Sequence, residues 1–224
     1  MLKRGTLAAL ALCLALLLAG SFALSAASAA SVPASAPCIV LDAGHGGVDP
    51  GVVGGTTGEK ESDVNLKIVQ KLQKMFSDAG FRVVLTRKNA GGLYGLPVGG
   101  YKRRDMEERR RIIREAEPDI VLSVHQNSFP AAPSRRGGQV FFRAGSEAGE
   151  ALSSSIQSRL NLLSGREISA LRGDFFMLEC ADCPSALVEC GFLSNAEEEK
   201  LLCTDAYRES VARAIFEGVL LYLA

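Results

Sequence analysis

Only two histidines occur in this chain of 224 residues, and each stands at the C-terminal side of an apolar run. His45 lies in Ile39-Val40-Leu41-Asp42-Ala43-Gly44-His45-Gly46-Gly47, where a strand-like stretch gives way to glycines. Those glycines let the chain turn sharply and leave the imidazole accessible. His125 follows Asp119-Ile120-Val121-Leu122-Ser123-Val124, a second such stretch. Two carboxylates sit in comparable places. Glu189 ends Ser185-Ala186-Leu187-Val188, where a charge is costly to bury without a partner. Glu61 opens a helical pattern soon after the His45 turn. Two imidazoles and one carboxylate make a ligand set for catalytic zinc that leaves the fourth position to water. The second carboxylate then remains to move protons during hydrolysis. Each residue also has an ordinary reading. A histidine can sit on a surface turn, and an acid at a helix start is favoured by the helix dipole alone. Glu59, two residues before Glu61, has an equal claim by position.

A fold must gather these residues. Residues 61–79 place Val64, Ile68, Leu72, Met75, Phe76 and Ala79 at spacings of three and four, one face of an amphipathic helix, and Gly80 is a C-terminal stop. Arg82-Val83-Val84-Leu85-Thr86 reads as a strand, and 89–100 as a long glycine-rich loop. A basic helix begins near Asp105, with Met106, Ile112, Ile113 and Ala116 inward and Arg109-Arg110-Arg111 and Arg114 forming a solvated face. Further strands are expected at 139–142, 175–178 and 185–189, and helices at 147–163 and 205–223. Ser194-Asn195-Ala196-Glu197 has the form of a capping box before a short helix. Strands alternating with helices give an α/β fold, a mostly parallel twisted sheet of about six strands flanked by helices on both faces. In such a sheet the strand ends carrying His45, His125 and Glu189 share one rim, and Glu61 can reach it.

Composition sets the address. The chain is 47% hydrophobic and 22% charged with zero net charge, so nothing favours nucleic acid or an electrostatic membrane contact. Lys3 and Arg4, an apolar stretch from 7 to 19, and small residues to Ala30 follow the order of a secretory signal. The expected organisation is a signal peptide or N-terminal anchor over 1–30, a linker over 31–37 and a catalytic domain over 38–224. The membrane is then met only through an uncleaved leader. Beyond Cys13 in the leader, Cys38, Cys180, Cys183, Cys190 and Cys203 are an odd number, so one thiol is free or paired between chains. Cys180-Ala181-Asp182-Cys183 stands alone, with no second such pair and no spare histidine, which fits a local disulfide or two inert thiols better than a structural zinc site.

Four ordered motifs carry a resemblance. They are Leu41-Asp42-Ala43-Gly44-His45-Gly46-Gly47, Lys60-Glu61-Ser62-Asp63-Val64-Asn65-Leu66, Ser123-Val124-His125-Gln126-Asn127 and Val188-Glu189-Cys190-Gly191-Phe192-Leu193-Ser194-Asn195. Together they resemble the zinc-dependent N-acetylmuramoyl-L-alanine amidases, from Cys38 to the end of the chain. The resemblance implies hydrolysis of the amide between the lactyl group of N-acetylmuramic acid and the first L-alanine of the peptidoglycan stem. It implies His45, Glu61 and His125 as zinc ligands and Glu189 as the catalytic carboxylate. Asp105-Met106-Glu107-Glu108-Arg109 and Phe141-Phe142 are most similar to the spore-cortex members, whose work in muramic δ-lactam formation marks cortex for germination. Cys190 after Glu189 is a variant that touches no role. The blocking insertion that division amidases carry after Phe142 is missing here, as is any wall-binding repeat, so control or targeting would fall to an activator or to location in the cell wall or spore envelope. Two other classes remain as alternatives: a catalytically silent wall-binding domain, and an envelope CxxC thiol oxidoreductase. The first keeps no reason for all four residues, and the second lacks a CxxC that opens a helix.

Overall fold

The structure is a computed structural model that describes residues 35–224; the leader and most of the linker lie outside the described residues. Six strands form one sheet in the order β2-β1-β3-β6-β4-β5. They are β1 (Cys38–Ala43), β2 (Arg82–Leu85), β3 (Ile120–Asn127), β4 (Gln139–Phe142), β5 (Leu171–Arg172) and β6 (Ser185–Phe192). β2, β1, β3 and β6 run parallel, whereas β4 is antiparallel to β6 and β5 follows β4. The helices are α1 (Glu61–Asp78), α2 (Tyr101–Ala116), α3 (Glu147–Ser164), α4 (Ala196–Leu202) and α5 (Asp205–Leu223).

Side-chain alternation along the strands divides the core in two. Ile39, Leu41, Ala43, Ile120, Leu122, Val124, Ala186 and Val188 face a large cluster with Val64, Ile68, Leu72, Phe76, Leu152, Ile156, Val211 and Ile215 from α1, α3 and α5. Cys38, Val40 and Val121 face a smaller one with Ile113 and Ala116 of α2 and Met177. α1 begins with Glu61 and Asp63 in its first turn and ends at Asp78, capped by Ala79, with Gly80 beyond at φ 88°. That is the left-handed exit expected of a glycine after a helix.

The structure corrects four local expectations. The run at 175–178 is no strand: Phe176–Glu179 form a 3-10 turn, and a strand forms instead just upstream as β5, Leu171–Arg172. A short apolar run has no period to tell the two apart, and tertiary packing decides, with Phe175 against Phe141 at 5.1 Å and Met177 and Leu178 buried. The N-cap of α4 is Asn195, whose side chain accepts from the Glu197 and Glu198 amides, while Ser194 Oγ accepts from the Phe129 amide instead. α2 starts at Tyr101 rather than Asp105, after Gly100 at φ 77°. β3 also continues through His125 to Asn127, with a register shift after the histidine.

The basic run of α2 is not wholly a solvated face, because Arg109 is 1% exposed. Its Nε donates to Asp105 Oδ2 at 2.7 Å and its Nη1 to Asp42 Oδ1 at 2.6 Å. Asp42 also accepts from Thr86 and Ser123. Burial alone would raise the Asp42 carboxyl, but Arg109 and the two hydroxyls outweigh it and hold it down at about 2. Arg109→Met removes the cation and leaves the Asp42 charge buried. Breaking one partner of such a pair costs about 3–5 kcal/mol, and urea denaturation of the purified domain should show a loss of that size.

Candidate metal centre

β1 ends at Ala43, and the chain turns through Gly44 into His45, which sits at φ 62°. This left-handed conformation is unusual for a residue with a side chain, and it is held from several directions. The Gly44 amide donates to Val124 O at 3.0 Å, so the turn continues the β1–β3 pairing. Gly44 lies flat on the His125 ring, where any Cβ would strike the imidazole. Behind the turn, Arg109 Nη2 donates to His45 O at 2.6 Å and Nη1 to Ala43 O at 2.7 Å. A second buried arginine, Arg87, donates to Ala43 O, Gly44 O and Ser62 O. The carbonyls around His45 and next to Glu61 are thus tied to the same pair of guanidinium groups.

His45 Nδ1 stands 3.1 Å from Asp49 Oδ2, which turns Nε2 toward Glu61 Oε1 at 3.3 Å. His125 Nδ1 approaches the same oxygen at 2.9 Å. The two rings are 5.0 Å apart and nearly perpendicular at 79°. One ligand atom from each of His45, Glu61 and His125 falls within 4.8 Å of the others. Glu61 is fixed independently of the histidines, since Oε1 accepts from the Gln126 amide at 3.1 Å and Oε2 from the Val52 amide at 2.9 Å. Glu59, its rival by position, lies on the surface and pairs with Lys67 at 2.6 Å.

Charge matches this geometry. Burial would raise the Glu61 carboxyl, but hydrogen bonds from His125 and His45 prevail and hold it well below the usual carboxylate range. Burial works against a charged His45, and Glu61 and Asp49 more than offset it, so that ring titrates above its ordinary value. Glu189 stands directly across from His125 in the β3–β6 register. Burial pushes its carboxyl up to about 7, with the Glu61 charge adding to the effect against the two histidines. Its Oε2 is buried with no hydrogen-bond partner among the described residues. Two nitrogens and one carboxylate oxygen converging with an open side suit a divalent ion such as zinc, and an orphaned second carboxylate beside them suits proton transfer.

All four residues named from the sequence therefore meet at one rim, and Glu59 does not. The sequence reading overlooked Asp49, Arg87 and Arg109. For Asp49 there was a signal. Metal-binding imidazoles hand their second nitrogen to a carboxylate or carbonyl, and an acid four residues after His45 in a tight loop is placed for it. The cysteines form no disulfide among the described residues, and burial pushes the Cys180 and Cys183 thiols up, the opposite of a reactive pair.

A family model described as N-acetylmuramoyl-L-alanine amidase matches residues 39–220. The germination-specific N-acetylmuramoyl-L-alanine amidase of Bacillus subtilis (strain 168) is 34% identical over 198 residues, covering 86% of this chain and 82% of its own. Among solved structures, the CwlD amidase from Clostridioides difficile, in complex with the GerS lipoprotein, aligns with a TM-score of 0.79 and 33% identity over 84% of this chain and 98% of that one. The catalytic domain of CwlV, an amidase from Bacillus (Paenibacillus) polymyxa var. colistinus, aligns with a TM-score of 0.73 and 25% identity over 84% and 98%.

Proposed function

The chain belongs to the N-acetylmuramoyl-L-alanine amidase family, and on that premise we propose that it is a zinc-dependent enzyme acting on spore-cortex peptidoglycan. The bond cut is the amide between the muramic lactyl group and L-alanine. The observation that carries the metal dependence is the convergence of His45, Glu61 and His125 donor atoms within 4.8 Å, with Glu189 in the neighbouring register position. His45, Glu61 and His125 would hold zinc, which when bound supplies a Lewis acid at the scissile carbonyl. Asp49 orients His45, and the Gln126 and Val52 amides keep Glu61 from swinging away. Glu189 accepts a proton from the attacking water and delivers it to the departing amine of L-alanine. A carboxyl lifted to about 7 is matched to that double task near neutral pH.

The cortex role is supported by the likeness to the germination-specific relative and to CwlD. Because CwlD was solved in complex with a lipoprotein, a lipoprotein is the proposed partner here. Export by the leader, to the cell wall or spore envelope, completes the reading. The test is digestion of purified sacculi with the zinc-loaded protein, followed by mass spectrometry. The expected products are stem peptides with a free N-terminal L-alanine and glycan strands of undiminished length. Shortened glycans, or peptides cut inside the stem, would overturn the assignment.

A further inference from the structure

The amide to be cut joins two unlike halves, and the rim that carries the four residues has two unlike sides. On the β1 side, His45 and His125 form one wall of a cavity of about 220 Å³. Tyr94, Tyr101, Lys102, Met106 and Met177 supply other walls. Tyr94 is anchored, its hydroxyl accepting from the Val48 amide at 2.6 Å, and it meets Tyr101 edge to face at 5.3 Å. Met177 is buried and Met106 half-buried. This is a small pocket with an apolar body and a few polar tips, the kind that takes a compact amphipathic group.

On the other side lies an open surface. In the β4–β6 register Gln139 pairs with Glu189 and Phe141 with Leu187, and Leu171 of β5 pairs with Phe141. Residues paired this way share a face of the sheet, so Gln139, Phe141 and Leu171 continue the surface on which Glu189 stands. The core on that face is built on β1 and β3 and includes no residue of β4 or β5. Leu171 is 48% exposed, and half-buried Phe141 is propped on Phe175.

Glu189 decides which half goes where. Water adds its oxygen to the lactyl carbonyl carbon, the C–N bond breaks, and the proton that water gives up passes through Glu189 to the amine. The L-alanine nitrogen must therefore lie on the Glu189 side, and the acyl group on the other. We infer that the cavity walled by Tyr101, Met106 and Met177 receives the sugar end of the muramoyl half, with its N-acetyl group. The stem peptide leaves over Gln139, Phe141 and Leu171. The pocket is too small for a peptide of several residues, and the open face gives a compact acyl group nothing to enclose it. This polarity rests on the amidase reading and on Glu189 as the proton carrier.

The test uses the zinc-loaded full chain and three substrates: muramoyl-dipeptide, muramoyl-pentapeptide and D-lactoyl-pentapeptide without the sugar. Met106→Trp fills the cavity. It should lower kcat/KM on muramoyl-pentapeptide by about tenfold or more, the scale of a pocket mismatch, while D-lactoyl-pentapeptide changes less than about twofold. Phe141→Ala should lower kcat/KM on muramoyl-pentapeptide by about tenfold and leave muramoyl-dipeptide within about twofold. Tyr101→Ala repeats the cavity arm if thermal melting shows that Met106→Trp does not fold. A crossed pattern, with the cavity variants sensing peptide length and Phe141→Ala sensing the sugar, overturns the polarity, as does a uniform loss on all three substrates. A folded, zinc-loaded wild type that leaves the muramoyl–alanine bond intact in every substrate instead overturns the amidase reading, and the inference with it.

Discussion

Glu189→Gln should retain its zinc and lose roughly 10²–10⁴-fold in kcat, the range that a general acid–base group contributes. The substitution keeps the shape of the side chain but removes its capacity to accept a proton. His45, Glu61 and His125 are untouched, so metal content by atomic absorption should equal that of the wild type. Stability should move the other way. Because the Glu189 carboxyl titrates at about 7 in the fold and at about 4.5 ordinarily, ionising it disfavours folding. That penalty is absent at pH 4, grows as pH rises from about 4.5 to about 7, and stays constant above. For a side chain partly open to the groove it amounts to about 1–3 kcal/mol in the metal-free protein. The metal-free variant should therefore melt roughly 3–10 °C above the metal-free wild type at pH 8, and the two should coincide near pH 4. An inactive protein that is no more stable at pH 8 would separate the catalytic role from the burial argument. Near-wild-type turnover would remove the role altogether.

The four chemical residues were legible because each follows an apolar run or opens a helix, which leaves a local mark even though β3 and β6 run on past His125 and Glu189. His45 and Glu189 follow hydrophobic stretches, and a parallel sheet brings such ends together whatever its strand order. What holds them was less legible. Arg109 sits in a run of like charges that reads as solvent-facing, and only the tertiary fold places its guanidinium between Asp42, Asp105 and the His45 carbonyl. Charge pairing across 67 residues leaves no periodic trace. The same limit explains Phe175 to Leu178, four apolar residues whose burial is right and whose conformation is set by Phe141 across a gap in sequence. β4 was legible in place, at 139–142, but not in its antiparallel direction, since four residues carry no mark of direction. Yet that strand gives the Glu189 side its open floor, so the feature least readable from sequence is the one that distinguishes the two ends of the groove.

Metal affinity should fall in a graded order that the geometry dictates. His45→Ala and His125→Ala each delete one of three donors and should bring zinc per chain from about one to near zero after dialysis. Glu61→Gln replaces an anionic oxygen with a neutral amide, so zinc and activity should fall together, unlike Glu189→Gln. Asp49→Ala touches no donor atom, but it frees His45 to rotate and shift its proton. Outer partners of this kind are worth about 10–100-fold in metal affinity, and competition against a chromophoric chelator resolves that range. Glu59→Gln should change nothing, because Glu59 faces Lys67 at the surface. Protons oppose the metal throughout, since a ligand imidazole must be neutral. Glu61 and Asp49 hold the His45 ring above its ordinary value in the metal-free protein, so apparent zinc affinity should weaken as pH falls through the histidine range. It should weaken less steeply in Asp49→Ala, where one source of that elevation is gone. Retention of zinc by Glu61→Gln together with its loss from Glu59→Gln would show that the wrong carboxylate had been placed at the metal.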